Sequence, residues 1–238
     1  MSNIVVITAA GIGSRTQQFI PKQFLSIKDK PLIIYTMEKF ENHPDIDHIV
    51  VTCLKGWDNF IECYAKQFNI TKLKKIVLGG ETGFESIQNG LGSLNSFANP
   101  EDIVLIHDGN RPGVSHETIS ECINIAKQKG SAITCIPVNE VVFNINKDTP
   151  ELINRDDIIR TQTPHAANYK YMTEIYNRAK KQNITNSVAF CSLLSKLGEE
   201  FHFIKGSEKN FKITFKEDID LFKGLILVGE NEKNEIHE

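Results

Sequence analysis

The sequence predicts an α/β fold with a mainly parallel sheet and helices on both faces. Strand-like apolar runs recur along the chain with helical patterns between most of them, and the first run, Ile-Val-Val-Ile, is β-branched throughout, as is typical of strands buried on both faces. This alternation is the pattern of right-handed βαβ units. The predicted strands are residues 4–7, 48–53, 75–78, 103–107, 132–137 and 201–204.

Helical periodicity predicts helices at residues 31–40, 86–94 and 116–128. The third has clear ends, because Ser115 is a good N-cap and Gly130 suits a helix C-terminus. Near the end of the chain, residues 210–215 alternate between apolar and polar side chains. This alternation predicts a strand, either a half-exposed edge strand or one that presents Asn210, Lys212 and Thr214 to a site.

Residues 138–161 depart from the alternation of strands and helices. Apolar residues at 141–145 precede a polar turn at 146–148, and apolar pairs follow at 152–153 and 158–159. This pattern predicts a protruding β arm or hairpin, a structure that commonly serves an interface. We therefore expect a single domain over residues 1–228, with the arm at 138–161, and a polar, frayed tail at 229–238.

The composition is that of an ordinary soluble protein. Of 238 residues, 40% are hydrophobic and 24% charged, and the net charge of −3 gives no general attraction to nucleic acid or to an anionic membrane, so we expect neither as a partner. The five cysteines show no metal-binding spacing, which favours reduced thiols. The sequence lacks the patterns of a signal peptide and of a membrane span, so we expect a cytoplasmic protein.

The loop that follows the first strand is the strongest functional signal. It reads Ala-Ala-Gly-Ile-Gly-Ser-Arg from residue 9, and Pro-Lys-Gln follows from residue 21. A glycine pair also suits any tight strand-to-helix turn, but Gly11 and Gly13 together with Arg15 and Lys22 combine free backbone donors with two cations. Because position 16 is Thr, the loop matches neither the Walker motif nor the dinucleotide-binding motif. We interpret it as a triphosphate site.

Three further loops contain chemically active residues. The stretch His-Asp-Gly-Asn-Arg-Pro at 107–112 follows a buried strand, so Asp108 could orient a divalent metal or a ribose, or cap a helix, whereas His107 suits a hydrogen-bonded strand end. The stretch Gly-Gly-Glu-Thr-Gly-Phe-Glu-Ser at 79–86 also follows a strand. A second anion site is predicted at 154–164, where arginines alternate with threonines. Its candidate residues are Arg155, Arg160, Thr161 and Thr163.

Six motifs in order identify a resemblance. They are AAGIGSR, PKQFL, GGETGFES, HDGNRP, RTQTP and NFKIT, and they extend over residues 4 to 219. The chain resembles the polyol-phosphate cytidylyltransferases, the group that includes 2-C-methyl-D-erythritol 4-phosphate cytidylyltransferase and ribitol-5-phosphate cytidylyltransferase. The resemblance implies a Rossmann-like nucleotidyltransferase fold, CTP and a polyol phosphate as substrates, Mg²⁺ or another divalent cation, and a homodimer joined through the arm.

The resemblance also implies roles for single residues. Catalytic cations would be Arg15, Lys22 and Lys212, and residues for the substrate phosphate would be Thr163 and Arg155, the latter reaching a neighbouring subunit's site. Asp108 would also face the metal. Nucleotide-binding residues would be Ala9, Ala10, Gly11, Gly13, Gly80, Ser86, Asp108, Gly109 and Arg111.

Departures from the family pattern cluster on the acceptor side. Val141 stands where the family has a threonine for the polyol phosphate, His165 replaces the glutamine of T-P-Q, and Asn186 replaces an aspartate. On the cytosine side, Gly83 replaces an arginine. The residues expected to bind the triphosphate match, so the sequence predicts CMP transfer but leaves the acceptor open between isoprenoid precursor and capsule or teichoic acid synthesis. Transfer from another nucleotide, transfer to a sugar 1-phosphate, and a catalytically silent nucleotide-binding paralogue remain alternatives.

Overall fold

The computed structural model describes residues 1–11, 20–146, 149–185 and 189–235, with side chains to residue 229. Its strands are β1 (Asn3–Ala9), β2 (Ser26–Ile27), β3 (Lys30–Pro31), β4 (His48–Cys53), β5 (Leu73–Leu78), β6 (Ile103–Asp108), β7 (Ser131–Pro137), β8 (Val142–Asn144), β9 (Glu151–Ile153), β10 (Ile159–Asn168) and β11 (Phe203–Lys205). Its helices are α1 (Leu32–Glu41), α2 (Asp58–Gln67), α3 (Gly83–Ser93), α4 (His116–Lys129), α5 (Tyr169–Lys181), α6 (Phe190–Lys196) and α7 (Lys216–Glu235).

Seven strands of the described residues form a central sheet in the order β11-β7-β10-β6-β1-β4-β5. Every pairing is parallel except those of β10, which runs antiparallel to β6 and β7. The prediction of a mainly parallel α/β sheet is confirmed. Each of the six predicted strands is present in the sheet, with ends that differ from the prediction by at most two residues.

The sheet is covered on both faces. Side chains of β1 alternate between two apolar clusters: Val5 and Ile7 pack with α1, α2 and α4, whereas Ile4 and Val6 pack with α3, α5 and α6. The Ser115 cap accepts a hydrogen bond from the Thr118 amide, and α4 ends at Gly130 with a φ of 88°, as its sequence predicts. Burial of these apolar side chains supplies the main stabilisation of the fold.

The long strand β10 is the principal element that sequence patterns do not reveal. Its middle residues Gln162, Thr163 and His165 are polar, yet Gln162 and His165 are buried. Polar residues in the middle of a buried strand hide its apolar periodicity. They also bring hydrogen-bonding groups to the centre of the sheet, next to β6.

The prediction of a strand over residues 210–215 is wrong. Glu208–Asn210 is a turn of 3-10 helix, Asn210 is buried, and the segment that follows lies in no sheet of the described residues. The reason is that side chains of Asn110 and Arg111 take the backbone carbonyls that a neighbouring strand would otherwise bind. Asn210, Lys212 and Thr214 therefore do not share a strand face.

The arm forms as a hairpin, with β8 antiparallel to β9 so that Phe143 lies opposite Leu152. Residues 159–161, assigned to the arm from the sequence, belong instead to β10 of the central sheet. The hairpin exposes a group of large apolar side chains, each between 51% and 77% accessible. They are Val141, Phe143, Ile145 and Leu152.

Helix α7 continues through residues 229–235, which form most of the segment expected to be a polar tail. Its earlier turns are anchored, because Phe222 is buried and packs with Ile27, Leu32 and Ile213 in a third apolar cluster. Helix formation propagates readily from an anchored turn into polar residues such as glutamate and lysine. In the described part of the chain, every helix is too short or too polar to cross a membrane.

Candidate active site

The carboxyl ends of β1, β5 and β6 border a cleft of about 390 Å³. Ligands of open α/β sheets bind at this edge, because loops from neighbouring parallel strands meet there. Lys22 and Lys212, separated by most of the sequence, both line the cleft. Its other lining residues are Thr8, Ala9, Ala10, Gly11, Gln23, Leu54, Gly80, Glu81, Thr82, Gly83, Ser86, Asp108 and Asn110.

Gln23 binds the backbone at the end of β1 and at Gly11. Its side-chain amide is buried and donates to the carbonyls of Ala9, at 2.6 Å, and Gly11, at 3.1 Å. Gln23 lies in a 3-10 turn, Lys22–Phe24, and Phe24 stacks on Trp57 with ring centroids 4.2 Å apart. The turn that presents Lys22 is therefore fixed on both sides.

The loop before α3 closes the opposite wall of the cleft. Thr82 and Glu85 form a capping box, and the Ser86 hydroxyl donates to the Thr82 carbonyl at 2.9 Å while it accepts from the Gly80 amide at 3.1 Å. A Cβ at Gly79 would lie 2.2 Å from that of Ala10, so only glycine allows the two loops to approach this closely. Ala10, Gly80 and Ser86 thus lie side by side.

Asp108 is at the electrostatic centre of the site. Its carboxylate accepts from Lys212 Nζ at 3.1 Å and from Arg111 Nε at 2.9 Å, and its backbone amide donates to Thr163 Oγ1 at 3.0 Å. Burial by itself would raise the pKa of the Asp108 carboxyl, but the Lys212 and Arg111 cations hold that pKa well below its usual range. Asp108 is therefore ionised at neutral pH.

The segment that carries Lys212 is held by side chains from the loop after β6. Asn110 donates to the Ile213 carbonyl at 2.6 Å and accepts from the Ile213 amide through its own carbonyl at 2.9 Å. Arg111 Nη1 donates to the Asn210 carbonyl at 2.9 Å. The two loops touch closely, since a Cβ at Gly113 would lie 1.8 Å from the Lys209 carbonyl oxygen.

A second cleft, of about 170 Å³, adjoins the first and shares Thr8, Gly83, Asp108 and Lys212 with it. Its apolar wall is formed by Ile87, Ile106, Ala189 and Phe190. Its polar lining consists of Arg111, Thr161, Gln162, Thr163 and His165. A ligand in one cleft would meet a ligand in the other beside Asp108 and Lys212.

Two buried histidines lie near this junction. Burial lowers the pKa of His107 to about 4, so the ring is neutral and its Nε2 donates to the Arg111 carbonyl at 3.0 Å. This is the hydrogen-bonded strand-end role expected for His107. Burial also lowers the pKa of His165 to about 4.

The structure brings most of the predicted site residues together. The larger cleft contains Ala9, Ala10, Gly11, Gly80, Ser86, Asp108, Lys22 and Lys212, and the smaller one adds Arg111 and Thr163. Gly109 lies behind the cleft wall, where its amide donates to the Thr8 carbonyl at 2.9 Å. Gly13 and Arg15 lie outside the described residues.

Arg155 does not line either cleft in the described part of the chain. It lies in a 3-10 turn at the base of the arm and donates to the Asn139 carbonyl at 3.3 Å. The second anion site predicted at residues 154–164 is therefore not formed as one site. Arg160 pairs with Glu208 on the surface, whereas Thr161 and Thr163 face the smaller cleft.

Sequence reasoning missed several site residues. Gln23, Asn110 and Gln162 act through hydrogen bonds to the backbone, and Leu54, Ile106 and Phe190 contribute apolar walls. A signal was available for these three residues, because Gln23 lies in PKQFL, Asn110 in HDGNRP and Gln162 in RTQTP. The apolar residues carry no sequence signal that separates them from ordinary core.

A cleft at the carboxyl edge of a mainly parallel sheet, bordered by a glycine-containing loop and two lysines, is typical of α/β proteins that bind phosphorylated nucleotides. The sequence profile of the family described as IspD, 2-C-methyl-D-erythritol 4-phosphate cytidylyltransferase, matches residues 3–227. The chain belongs to this family.

Individual relatives carry two different names. A ribitol-5-phosphate cytidylyltransferase of Lacticaseibacillus paracasei is 37% identical over 225 residues, which cover 93% of this chain and 96% of that protein. A 2-C-methyl-D-erythritol 4-phosphate cytidylyltransferase of Clostridium tetani is 37% identical over 236 residues, covering 98% and 94%. The crystal structure of the 2-C-methyl-D-erythritol 4-phosphate cytidylyltransferase of Francisella tularensis has a TM-score of 0.77 at 27% identity, covering 93% and 98%.

Proposed function

We propose that the protein transfers CMP from CTP to a polyol phosphate of the ribitol 5-phosphate or 2-C-methyl-D-erythritol 4-phosphate type, giving a CDP-polyol and pyrophosphate. The observation that carries this proposal is that the two adjoining clefts share Asp108 and Lys212. Two substrates bound side by side would meet at that point. Relatives named for ribitol 5-phosphate and relatives named for 2-C-methyl-D-erythritol 4-phosphate both match nearly the whole chain. This supports cytidylyl transfer as the reaction type here.

The larger cleft is the nucleotide site in this proposal. Ala9, Ala10 and Gly11 offer backbone groups to the nucleotide, and Gly80 and Ser86 border the base. Lys22 and Lys212 face the phosphates, and Arg15 is assigned to the same task from its motif. Asp108 lies on the side of this cleft on which the ribose would bind, with Gly109 behind the wall and Arg111 paired to the Asp108 carboxylate.

The smaller cleft is the acceptor site. Arg111 and Thr163 supply a cation and a hydroxyl for the substrate phosphate, and both lie within reach of Asp108. The apolar wall opposite them would contact the carbon chain. This division assigns each cleft one substrate.

The reaction needs no general base. A phosphate monoester has its second pKa near about 6, so the acceptor is already a dianion for the most part at neutral pH. One of its oxygens forms a bond to the α-phosphorus of CTP, and the bond from that phosphorus to the bridging oxygen breaks, with the electron pair leaving on pyrophosphate. Lys22, Lys212 and Arg15 stabilise the charge that builds on the phosphate oxygens, and the clefts supply alignment.

Asp108 and Lys212 are paired before the substrates arrive, at 3.1 Å. We infer that Lys212 turns from Asp108 toward the phosphates when the nucleotide binds, because the triphosphate presents more negative charge than one carboxylate. Asp108 then faces the same phosphates as an ionised oxygen ligand. In this proposal, nucleotide binding itself moves the Lys212 ammonium group from Asp108 to the phosphates.

A divalent cation fits this arrangement when the phosphates provide most of its ligands. Among the described residues no three His, Cys, Asp or Glu side chains converge, so the protein offers chiefly the ionised carboxylate of Asp108. Mg²⁺ is commonly held by one or two carboxylates together with substrate phosphates and water. When bound, such an ion would neutralise triphosphate charge, and Asp108 is the residue that would hold it.

We also propose a homodimer joined through the arm, in the cytoplasm, where the five free thiols would stay reduced. The exposed side chains of Val141, Phe143, Ile145 and Leu152 form an apolar surface that a second copy would cover. Arg155 at the base of the arm would then reach the neighbouring subunit's acceptor cleft.

The direct test is to incubate the protein with Mg²⁺, with CTP, UTP, GTP or ATP, and with ribitol 5-phosphate, 2-C-methyl-D-erythritol 4-phosphate or a sugar 1-phosphate. Pyrophosphate release and product mass are measured for every pair. We expect release with CTP and one polyol phosphate. Release with another nucleotide or with a sugar 1-phosphate would instead support the alternative transferase reactions, and CTP binding without turnover on any acceptor would support a silent paralogue.

A further inference from the structure

His165 presents an unused hydrogen-bonding atom to the smaller cleft. The residue lies on β10 opposite Ile106 of β6, and its side chain is 2% exposed. It lines the cleft together with Ile87, Ile106 and Phe190. Its Nε2 is buried and has no hydrogen-bond partner among the described residues. Buried polar atoms in folded proteins usually have a partner, and this one borders a cleft from which a ligand could supply it.

The protonation state of the ring defines what that ligand must be. Burial, supported by the Arg111 cation, keeps the pKa of His165 at about 4, so the imidazole is neutral at physiological pH. A neutral imidazole has one donor and one acceptor nitrogen. The Gln162 carbonyl lies close enough to the ring to raise its pKa, which favours the ring proton on Nδ1 because Nε2 has no partner. Nε2 is consequently the acceptor, and it requires an N–H or O–H donor.

The protein itself supplies no such donor on the apolar wall, whose members here are Ile87, Ile106 and Phe190. The Arg111 guanidinium donates to the Asp108 carboxylate and Thr163 Oγ1 accepts from the Asp108 amide, and no group of the described residues donates to Nε2. An incoming ligand with a phosphate at Arg111 and a hydroxyl group toward the wall would satisfy Nε2.

We propose that Nε2 of His165 accepts a hydrogen bond from a hydroxyl group of the acceptor substrate and thereby selects a hydroxylated carbon chain over a deoxygenated one. This inference rests on the proposed function, in which the smaller cleft binds the polyol phosphate. His165 is a specificity-determining residue in this reading. It also gives a physical role to the glutamine-to-histidine departure in the sequence Thr-Pro-His.

The test is a cycle that crosses enzyme variants with substrate analogues. The enzymes are wild type, His165→Leu, which keeps the bulk and removes the acceptor, and His165→Gln, which restores an acceptor oxygen. The substrates are the active polyol phosphate and its singly deoxygenated analogues. In wild type we expect one analogue to have a KM raised about tenfold. In His165→Leu the parent substrate should lose a similar factor, and that analogue should no longer differ from it.

Three further readouts separate a binding role from a structural one. The KM for CTP should be unchanged in both variants, and His165→Gln should recover part of the lost affinity. In wild type labelled with ¹⁵N-histidine, the Nε2 resonance of His165 should shift upfield when the polyol phosphate is added with a non-reactive CTP analogue.

The matched control is His43→Gln. His43 is also buried, but its two ring nitrogens already have partners at His116, Ser120 and Asp45, so this variant should lower Tm without changing the acceptor KM.

The proposal is overturned if His165→Leu keeps both the parent KM and the discrimination against every deoxygenated analogue, because a buried water would then satisfy Nε2. If His165→Leu does not fold, His165→Gln and the Nε2 resonance decide, and an unchanged resonance on acceptor binding overturns the proposal. If CMP transfer fails with every acceptor while polyol phosphates still shift the Nε2 resonance, the proposed reaction is wrong and the hydroxyl contact stands.

Discussion

Asn110 and Ile213 are joined by two hydrogen bonds, one from the Asn110 side chain to the Ile213 carbonyl at 2.6 Å and one from the Ile213 amide to the Asn110 carbonyl at 2.9 Å. Lys212 immediately precedes Ile213. The two hydrogen bonds therefore fix the backbone position from which the Lys212 ammonium group reaches Asp108. The residue after Gly109 in the motif thus acts by positioning a cation from the other end of the chain.

Asn110→Ala should test this positioning. The variant leaves the buried Ile213 carbonyl without its side-chain donor, which costs about 1–3 kcal/mol of unfolding free energy, and kcat should fall because Lys212 is less well held. Urea unfolding and steady-state kinetics measure the two effects. Asn89→Ala is the control, since Asn89 also donates to a carbonyl, that of Leu78, but on the exposed surface. An Asn110→Ala enzyme with unchanged kcat would contradict the positioning role.

Lys22→Ala and Lys212→Ala should each lower kcat by roughly a hundred- to thousandfold, the usual effect of removing one group that stabilises transition-state charge. The fold should be retained, because both side chains line an open cleft. Nucleotide binding can be followed through the single tryptophan, Trp57, which stacks on Phe24 next to Lys22. Lys66→Ala, which removes a surface ion pair with Glu62, is the matched control and should retain activity. Wild-type pyrophosphate release from Lys22→Ala would end its catalytic assignment.

Stability should fall on mild acidification because His107 and His165 are buried in the neutral form. Each has a pKa of about 4 in the folded protein against an ordinary value of 6.5. The unfolded chain therefore binds protons below pH 6.5 that the native state does not, and each histidine reduces the unfolding free energy by about 1.4 kcal/mol per pH unit between those values. Urea unfolding at pH 7, 6 and 5 measures the slope, which His165→Gln should make shallower. A stability that stays flat from pH 7 to 5 would contradict the assignment.

Ionisation of the Asp108 carboxyl also makes the unfolding free energy fall on acidification, but over a lower pH range than the two histidines. Its pKa is depressed in the folded protein, so the stability it contributes is present above its ordinary value of 3.8 and is lost as the pH falls further. Lys212→Ala should raise that pKa. Of the two cations paired with Asp108, only Arg111 would then remain to oppose the effect of burial. Carboxyl ¹³C titration of Asp108 in the two proteins would show the shift, and identical titration curves would refute the pairing.

The arm should control assembly. Phe143→Asp places a charge in the exposed apolar surface of the hairpin and should convert a dimer into a monomer, as measured by light scattering. Leu221→Asp is the control, because Leu221 is similarly exposed but lies on α7. A dimer that survives Phe143→Asp would exclude the arm as the interface.

Arg155 can be tested by subunit mixing. If it serves the neighbouring subunit, Arg155→Ala and Lys22→Ala should each be nearly inactive, yet a randomly mixed heterodimer contains one intact site. With equal amounts of a two-fold dimer, about a quarter of wild-type activity should return. No recovery after confirmed exchange of subunits would place Arg155 outside the neighbouring site.

The βα framework was predictable from local patterns. Val5, Ile7 and their neighbours in β1 form a β-branched run whose burial any parallel sheet requires, and Ser115 and Gly130 mark the ends of α4 by backbone chemistry alone. The placement of the loops at one edge of the sheet followed as well, because parallel strands end on the same side.

The strand β10 and the segment 208–213 were not predictable in this way. Gln162 looks like a loop residue, yet it is buried because its side chain binds Ser207 across the sheet edge. The alternating run after Asn210 looks like a strand, yet Asn110 and Arg111 replace a strand neighbour. Both outcomes depend on partners far away in sequence.

The amino-acid sequence by itself determined the α/β class, the glycine loop with its cations and the family to which the chain belongs, since these depend on short-range periodicity and on motifs. Only the tertiary structure decided that Lys22 and Lys212 share a cleft, that Asp108 is held ionised between Lys212 and Arg111, and that His165 faces the second cleft with a free lone pair. The physical reason is that distance, burial and charge pairing are properties of contacts between distant segments, which form only when the sheet assembles.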